Sequence, residues 1–155
     1  MGLCTNGFYF AMGITTWPDD ITDECETITI QSSSLTLIPE DAFDHFTRLD
    51  ALFLMVNSVT EFPNLNPVRY TLSTVTVSGN LLDVPFDLLK NTTIYNLNLK
   101  GNHITQQCPE EPLVIDEALQ NLDLSNNLLT TFCMNLVDTA HGVTNIQSIR
   151  LTGNI

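Results

Sequence analysis

The sequence predicts a mainly β fold of the α/β class: a solenoid of stacked coils, each giving one short strand to a continuous parallel sheet. Two observations predict it. First, NLDLSNNLLTTFC (Asn121 to Cys133) and NLNLKGNHITQQC (Asn96 to Cys108) share their length, and their Leu, Leu, Asn, aliphatic and Cys residues fall at the same offsets. Second, the pattern they share, L-x-x-L-x-L-x-x-N-x-L, recurs along the chain, and self-similarity at a fixed period is the signature of a repeat architecture.

Six copies are legible. They are Cys25-Ile28-Ile30-Ser33-Leu35, Leu49-Leu52-Leu54-Asn57-Val59, Leu72-Val75-Val77-Asn80-Leu82, Ile94-Leu97-Leu99-Asn102-Ile104, Leu119-Leu122-Leu124-Asn127-Leu129 and Ile146-Ile149-Leu151-Asn154. Successive starts lie 24, 23, 22, 25 and 27 residues apart. In L-x-L the apolar residues alternate, so both point to one face of a strand. A single strand cannot bury that face alone. Stacked copies can, over one shared core. The Asn falls where the chain turns out of the strand, and its amide can satisfy backbone groups that the turn leaves unpaired. The first copy carries Ser33 instead, as an atypical end repeat does.

These residues resemble the extracellular leucine-rich repeat family. Leu35-Thr36-Leu37-Ile38-Pro39 followed by Asp41-Ala42-Phe43-Asp44-His45-Phe46 is similar to the animal version of the repeat. The resemblance covers Cys25 to Ile155 and implies a right-handed solenoid. The parallel sheet would line its concave side, with irregular or short helical segments on the convex side. Residues 1–25 are expected to form an N-terminal cap, and 26–155 about six repeats, the last incomplete. The third copy departs from the pattern: Pro85 comes five residues after Asn80, where Pro39 and Pro63 come six after Ser33 and Asn57. A locally tightened coil is expected there.

Cys108 and Cys133 each follow their repeat's Asn by six residues. Equivalent positions in adjacent coils lie about 4.8 Å apart, inside the roughly 4.4–6.8 Å Cα window of a disulfide. A Cys108–Cys133 bond is therefore expected; two buried free thiols are the alternative. Cys4 and Cys25 look like a reduced form of the family's cysteine-rich cap. In that reading Cys4–Cys25 ties down a segment carrying Phe8, Tyr9, Phe10 and Trp17 over the open end. No C-x-x-C or H-x-x-H spacing suggests zinc. Paired cysteines imply an oxidising, extracellular location. Asn91-Thr92-Thr93 is an acceptor for N-glycosylation by pattern.

The net charge of −13, from 18 acids against 5 cations, argues against nucleic acid as a partner and against an anionic membrane surface. No apolar run reaches the ~20 residues that span a bilayer. The N-terminus lacks a basic n-region, so a secreted protein would carry its leader outside this segment. His45, His103 and His141 fall in different repeats with no nucleophile motif. The acids Glu110, Glu111, Asp116 and Glu117 lack calcium-loop spacing, and read as a solvated face. No enzyme, cofactor or metal site is expected.

The outward strand positions carry the functional expectation. They read Thr29, Phe53, Thr76, Asn98, Asp123 and Arg150 within L-x-L, and Gln31, Met55, Ser78, Lys100, Ser125 and Thr152 just after it. Phe53, Met55 and Val56 form an apolar spot, and exposed apolar groups mark contact sites. With Thr76, Asn98, Lys100, Asp123 and Arg150 they make up a candidate ligand face. Asp123 and Arg150 are expected to pair across strands. The family implies an extracellular module that binds a protein, within a receptor, adhesion protein or scaffold. The alternative is a subunit that self-assembles through open solenoid edges, since the chain halts inside a repeat.

Overall fold

The computed structural model describes residues 4–83, 93–105, 118–131 and 145–155. Among them, seven strands form one sheet: β1 (Phe8–Met12), β2 (Thr27–Gln31), β3 (Ala51–Met55), β4 (Thr74–Thr76), β5 (Asn96–Asn98), β6 (Asn121–Asp123) and β7 (Ser148–Arg150). Their order in the sheet is their order in the chain, and every adjacent pair is parallel. The only helix among the described residues is a 3-10 turn at Asn66–Val68. The fold is a mainly β parallel solenoid.

The repeat dictates this register. Tyr9, Ile28, Leu52, Val75, Leu97, Leu122 and Ile149 lie side by side in one row. All but half-buried Ile149 are buried. The second Leu of each L-x-L forms a parallel row through Ile30, Leu54, Val77, Leu99 and Leu124, each wholly or almost wholly buried. The first pattern position (Cys25, Leu49, Leu72, Ile94, Leu119) and the last (Leu35, Val59, Leu82, Ile104, Leu129) close the same core. Each spoke meets its equivalent above and below, so one period builds a continuous apolar column.

Every coil leaves its strand through one left-handed residue: Gly13, Ser32, Val56, Gly79, Gly101, Asn126 and Gly153. Each lies four residues after the first inward residue of its strand. Glycine holds four of these sites at no steric cost, and Asn tolerates the conformation. Val56, at φ 54°, is β-branched and strained there, which costs about 1–2 kcal/mol. Val56→Gly should therefore stabilise the fold by about 1 kcal/mol net of glycine's chain entropy. Chemical denaturation would check this; a lowered midpoint would contradict it.

The asparagines form a ladder across the coils. Asn102 Nδ2 donates to Val77 O of the preceding coil at 2.7 Å and to Leu99 O at 2.9 Å, while its Oδ1 accepts from Leu82 N–H at 3.1 Å. Asn80, Asn127 and Asn154 likewise reach one coil back with the amide and accept one coil back with the oxygen. The ladder stops at the first copy. Asn57 Nδ2 donates to Ile30 O, but its buried Oδ1 has no partner. Ser33 instead accepts from Ile14 N–H and donates to Gln31 O.

The N-terminal segment extends the sheet. Asn6 and Gly7, both left-handed, turn the chain so that Thr5 and Phe8 exchange backbone hydrogen bonds. β1 then runs in register with β2, so Tyr9 and Ala11 stand where later coils place Leu. Cys4 and Cys25 are bonded, with Cα atoms 5.7 Å apart. Closing a loop of this length contributes about 3 kcal/mol by chain entropy. Beyond β1, Trp17 packs edge-on against Phe43 at 5.4 Å, Ile21 enters the core, and the His45 ring donates from Nε2 to Ile21 O at 3.2 Å.

Tyr9 gives this end a pH signature. Its side chain is buried and its hydroxyl donates to Asp20 Oδ1 at 3.1 Å. Burial, reinforced by the bond to Asp20 and its negative charge, pushes the phenol from 10.0 up to about 12. A raised pKa means the folded state favours the protonated phenol, so this contribution is complete below pH 10 and is lost as pH climbs toward 12. Tyr9→Phe should flatten the decline of stability across that window, as read by urea midpoints at stepped pH. An unchanged decline would contradict the assignment.

Candidate functional site

The outward face of the sheet is the surface on which the fold assembles chemically distinct side chains in fixed rows. Its middle row runs Phe10, Thr29, Phe53, Thr76, Asn98, Asp123, Arg150, one residue per strand. Neighbouring strands lie about 4.8 Å apart, so the row is a line of evenly spaced groups whose chemistry changes along the solenoid.

The β4–β7 half is polar. A shallow cleft of about 180 Å³ is lined by Thr76, Asn98, Asp123, Ser148 and Arg150, among others. Asn121 Nδ2 donates to Asn96 Oδ1 at 2.7 Å, joining two strands by their amides. Asp123 Oδ1 accepts from Ser125 N–H and Asn98 Oδ1 from Lys100 N–H, which holds both side chains down against their own strands. Arg150 Nη1 stands 3.9 Å from Asp123 Oδ2. This is the ion pair expected from the register, and its exposed guanidinium limits it to under about 1 kcal/mol.

The β1–β3 half is apolar. Phe8, Phe10 and Met12 are 62%, 52% and 53% exposed, and Val56 is 62% exposed. Phe53 and Met55 are half-buried beside them on β3. Between these two apolar ridges β2 presents Thr27, Thr29 and Gln31. A second cleft, of about 360 Å³, adjoins β1 and is lined by Phe10, Met12, Ile14, Pro18 and Asp20, among others.

Most of the candidate residues read from the sequence therefore share this face: Phe53, Met55, Asn98, Lys100, Asp123 and Arg150, with Val56 exposed at the exit of β3. Thr76 belongs to the same row but differs from the expectation of an open surface residue. It keeps only 9% of its surface, because Phe53 and Asn98 flank it in the row. Ser125 is buried likewise, with its hydroxyl accepting from Thr152. Cys108, Cys133, Asn91, Pro85 and the acids Glu110, Glu111, Asp116 and Glu117 lie outside the described residues.

Sequence reasoning missed Phe8, Phe10 and Met12 as members of the face, having read their segment as a lid. The signal was present. Phe8-Tyr9-Phe10-Ala11-Met12 alternates, and Tyr9 and Ala11 precede Ile28 and Ile30 by the same interval.

Compared with models of protein families the chain matches none, and compared with curated proteins it matches none. Among the described residues no cluster of three His, Cys, Asp or Glu side chains is placed to hold a metal ion, and no helix is long and apolar enough to cross a membrane.

Proposed function

We propose that this chain is an extracellular recognition module of the leucine-rich repeat type, and that it binds a protein partner on the concave, outward face of its sheet. It would act as part of a receptor, adhesion protein or secreted scaffold. One observation carries the reading: Phe8, Phe10, Met12, Phe53 and Met55 are held on one face of a continuous sheet, with exposed Val56 at the exit of β3, and large exposed apolar groups mark contact surfaces. The bond between Cys4 and Cys25 supports an oxidising location, and the Asn ladder supports the family assignment.

The test is binding of the labelled chain, multimerised, to a panel of extracellular proteins and cell surfaces. The reading predicts protease-sensitive binding that Phe53→Ser with Met55→Ser abolishes and that Tyr70→Ser, outside the sheet, leaves intact. Loss with Tyr70→Ser alone would contradict it. So would self-association in light scattering with no partner bound, which is the behaviour of an assembly subunit.

A further inference from the structure

Val56 occupies the one strand exit where a strained β-branched residue replaces the Gly or Asn that most coils use, and it is exposed. Its Cγ2 lies over Gly79 rather than in the core. Strain kept at an exposed position points to use of that side chain by a ligand. Beside it stand Met55 and Phe53, and two strands away Met12 and Phe10, across the Thr and Gln of β2.

Charge selects the occupant. The chain has no Lys or Arg before Arg48 but eight acids, and Arg48 is itself paired with Glu26. The cleft beside Phe10 and Met12 reaches Asp20, whose carboxylate accepts a hydrogen bond from Tyr9; the ion pairs among the described residues are Arg48 with Glu26 and Arg150 with Asp123, so none of them engages Asp20. An apolar wall leading to an anion fits the aliphatic stem and cationic head of Lys or Arg. A second copy of this chain is disfavoured, because it would bring the same uncompensated acids together.

We propose that the β1–β3 face takes a basic segment of a partner protein, its apolar side chains lying between the Phe10–Met12 and Phe53–Val56 ridges and a Lys or Arg entering the cleft to Asp20. This rests on the recognition reading above and names the chemistry of the partner.

Three fluorescein-labelled 12-residue peptides serve as probes in anisotropy titrations: alternating Lys and Leu, alternating Glu and Leu, and alternating Lys and Ser. The Lys–Leu peptide should bind, at least tenfold more tightly than either other peptide. Asp20→Asn and Phe10→Ser with Phe53→Ser should each weaken it at least fivefold. Val56→Gly should weaken it while raising the unfolding midpoint, a split that a merely structural Val56 would not give. Equal binding of the Lys–Ser peptide would reveal generic attraction to an acidic protein and overturn the proposal. So would undiminished binding to the Phe10, Phe53 variant, or a dimer in sedimentation that this variant abolishes. If the peptides fail while the partner panel still responds to the Phe53, Met55 variant, the basic chemistry is wrong and the recognition reading stands.

Discussion

Asn102→Ala is expected to destabilise the fold by about 4 kcal/mol, since each buried polar group left unpaired costs roughly 1–3 kcal/mol. The side chain is 3% exposed and satisfies Val77 O and Leu99 O as donor and Leu82 N–H as acceptor. Alanine can replace none of these bonds. The apolar spokes around it stay in place, so the loss comes from the polar ladder alone. Urea unfolding would measure it. A loss below about 1 kcal/mol, the worth of one ordinary net hydrogen bond, would mean that water or a backbone shift satisfies the turn instead. Asn57→Ala should cost less than Asn102→Ala, because the Oδ1 of Asn57 bonds nothing.

Phe43→Ala should cost a similar amount, about 4 kcal/mol, by a different route. Truncating a buried Phe loses its transfer free energy and leaves a cavity. Phe43 is fully buried, with Trp17 at 5.4 Å on one side and Phe46 at 6.2 Å on another. Trp17 comes from the N-terminal segment, so this contact joins that segment to the first coils. It is the chain's single tryptophan, which makes its fluorescence a local reporter. The variant should red-shift Trp17 emission in the native state as well as lower the unfolding midpoint. Asn102→Ala, three coils on, should leave native Trp17 emission unchanged. A lowered midpoint without the red shift would show that Phe43 holds the core but not the N-terminal segment.

How much of this was legible follows from how many jobs each residue has. The spokes at Leu52, Leu54, Leu97, Leu99, Leu122 and Leu124 have one job, filling the column, and only large aliphatics do it well. Their period was therefore plain, and it fixed the strands, the parallel order and the register. The ladder Asn residues were legible for the same reason. β1 carried only a weaker signal, its alternation, because its inward residues are Tyr9 and Ala11 and no ladder Asn follows them. The chain there relies on a disulfide, a tight turn and a hydroxyl–carboxylate bond, none of which repeats.

The candidate face was half legible. Alternation places Phe53, Met55, Asn98, Asp123 and Arg150 outward, and they are outward. Thr76 and Ser125 were misjudged as open because exposure depends on the bulk of row neighbours, which alternation does not encode. Val56 was visible as an apolar oddity but not as a strained one. That needed the comparison of seven strand exits, which becomes obvious only once the coils are superposed.

The central claim is that successive repeats form neighbouring, co-directional strands in one register. Electron–electron distance measurements between a spin label at Thr29 and labels placed in turn at Asn98, Asp123 and Arg150 test it most directly. These sites are three, four and five strands away in the same row. The account predicts distances that grow by about 4.8 Å at each step, from roughly 14 to roughly 24 Å. Distances that fail to increase in that order would contradict the stacked solenoid and everything placed on its face.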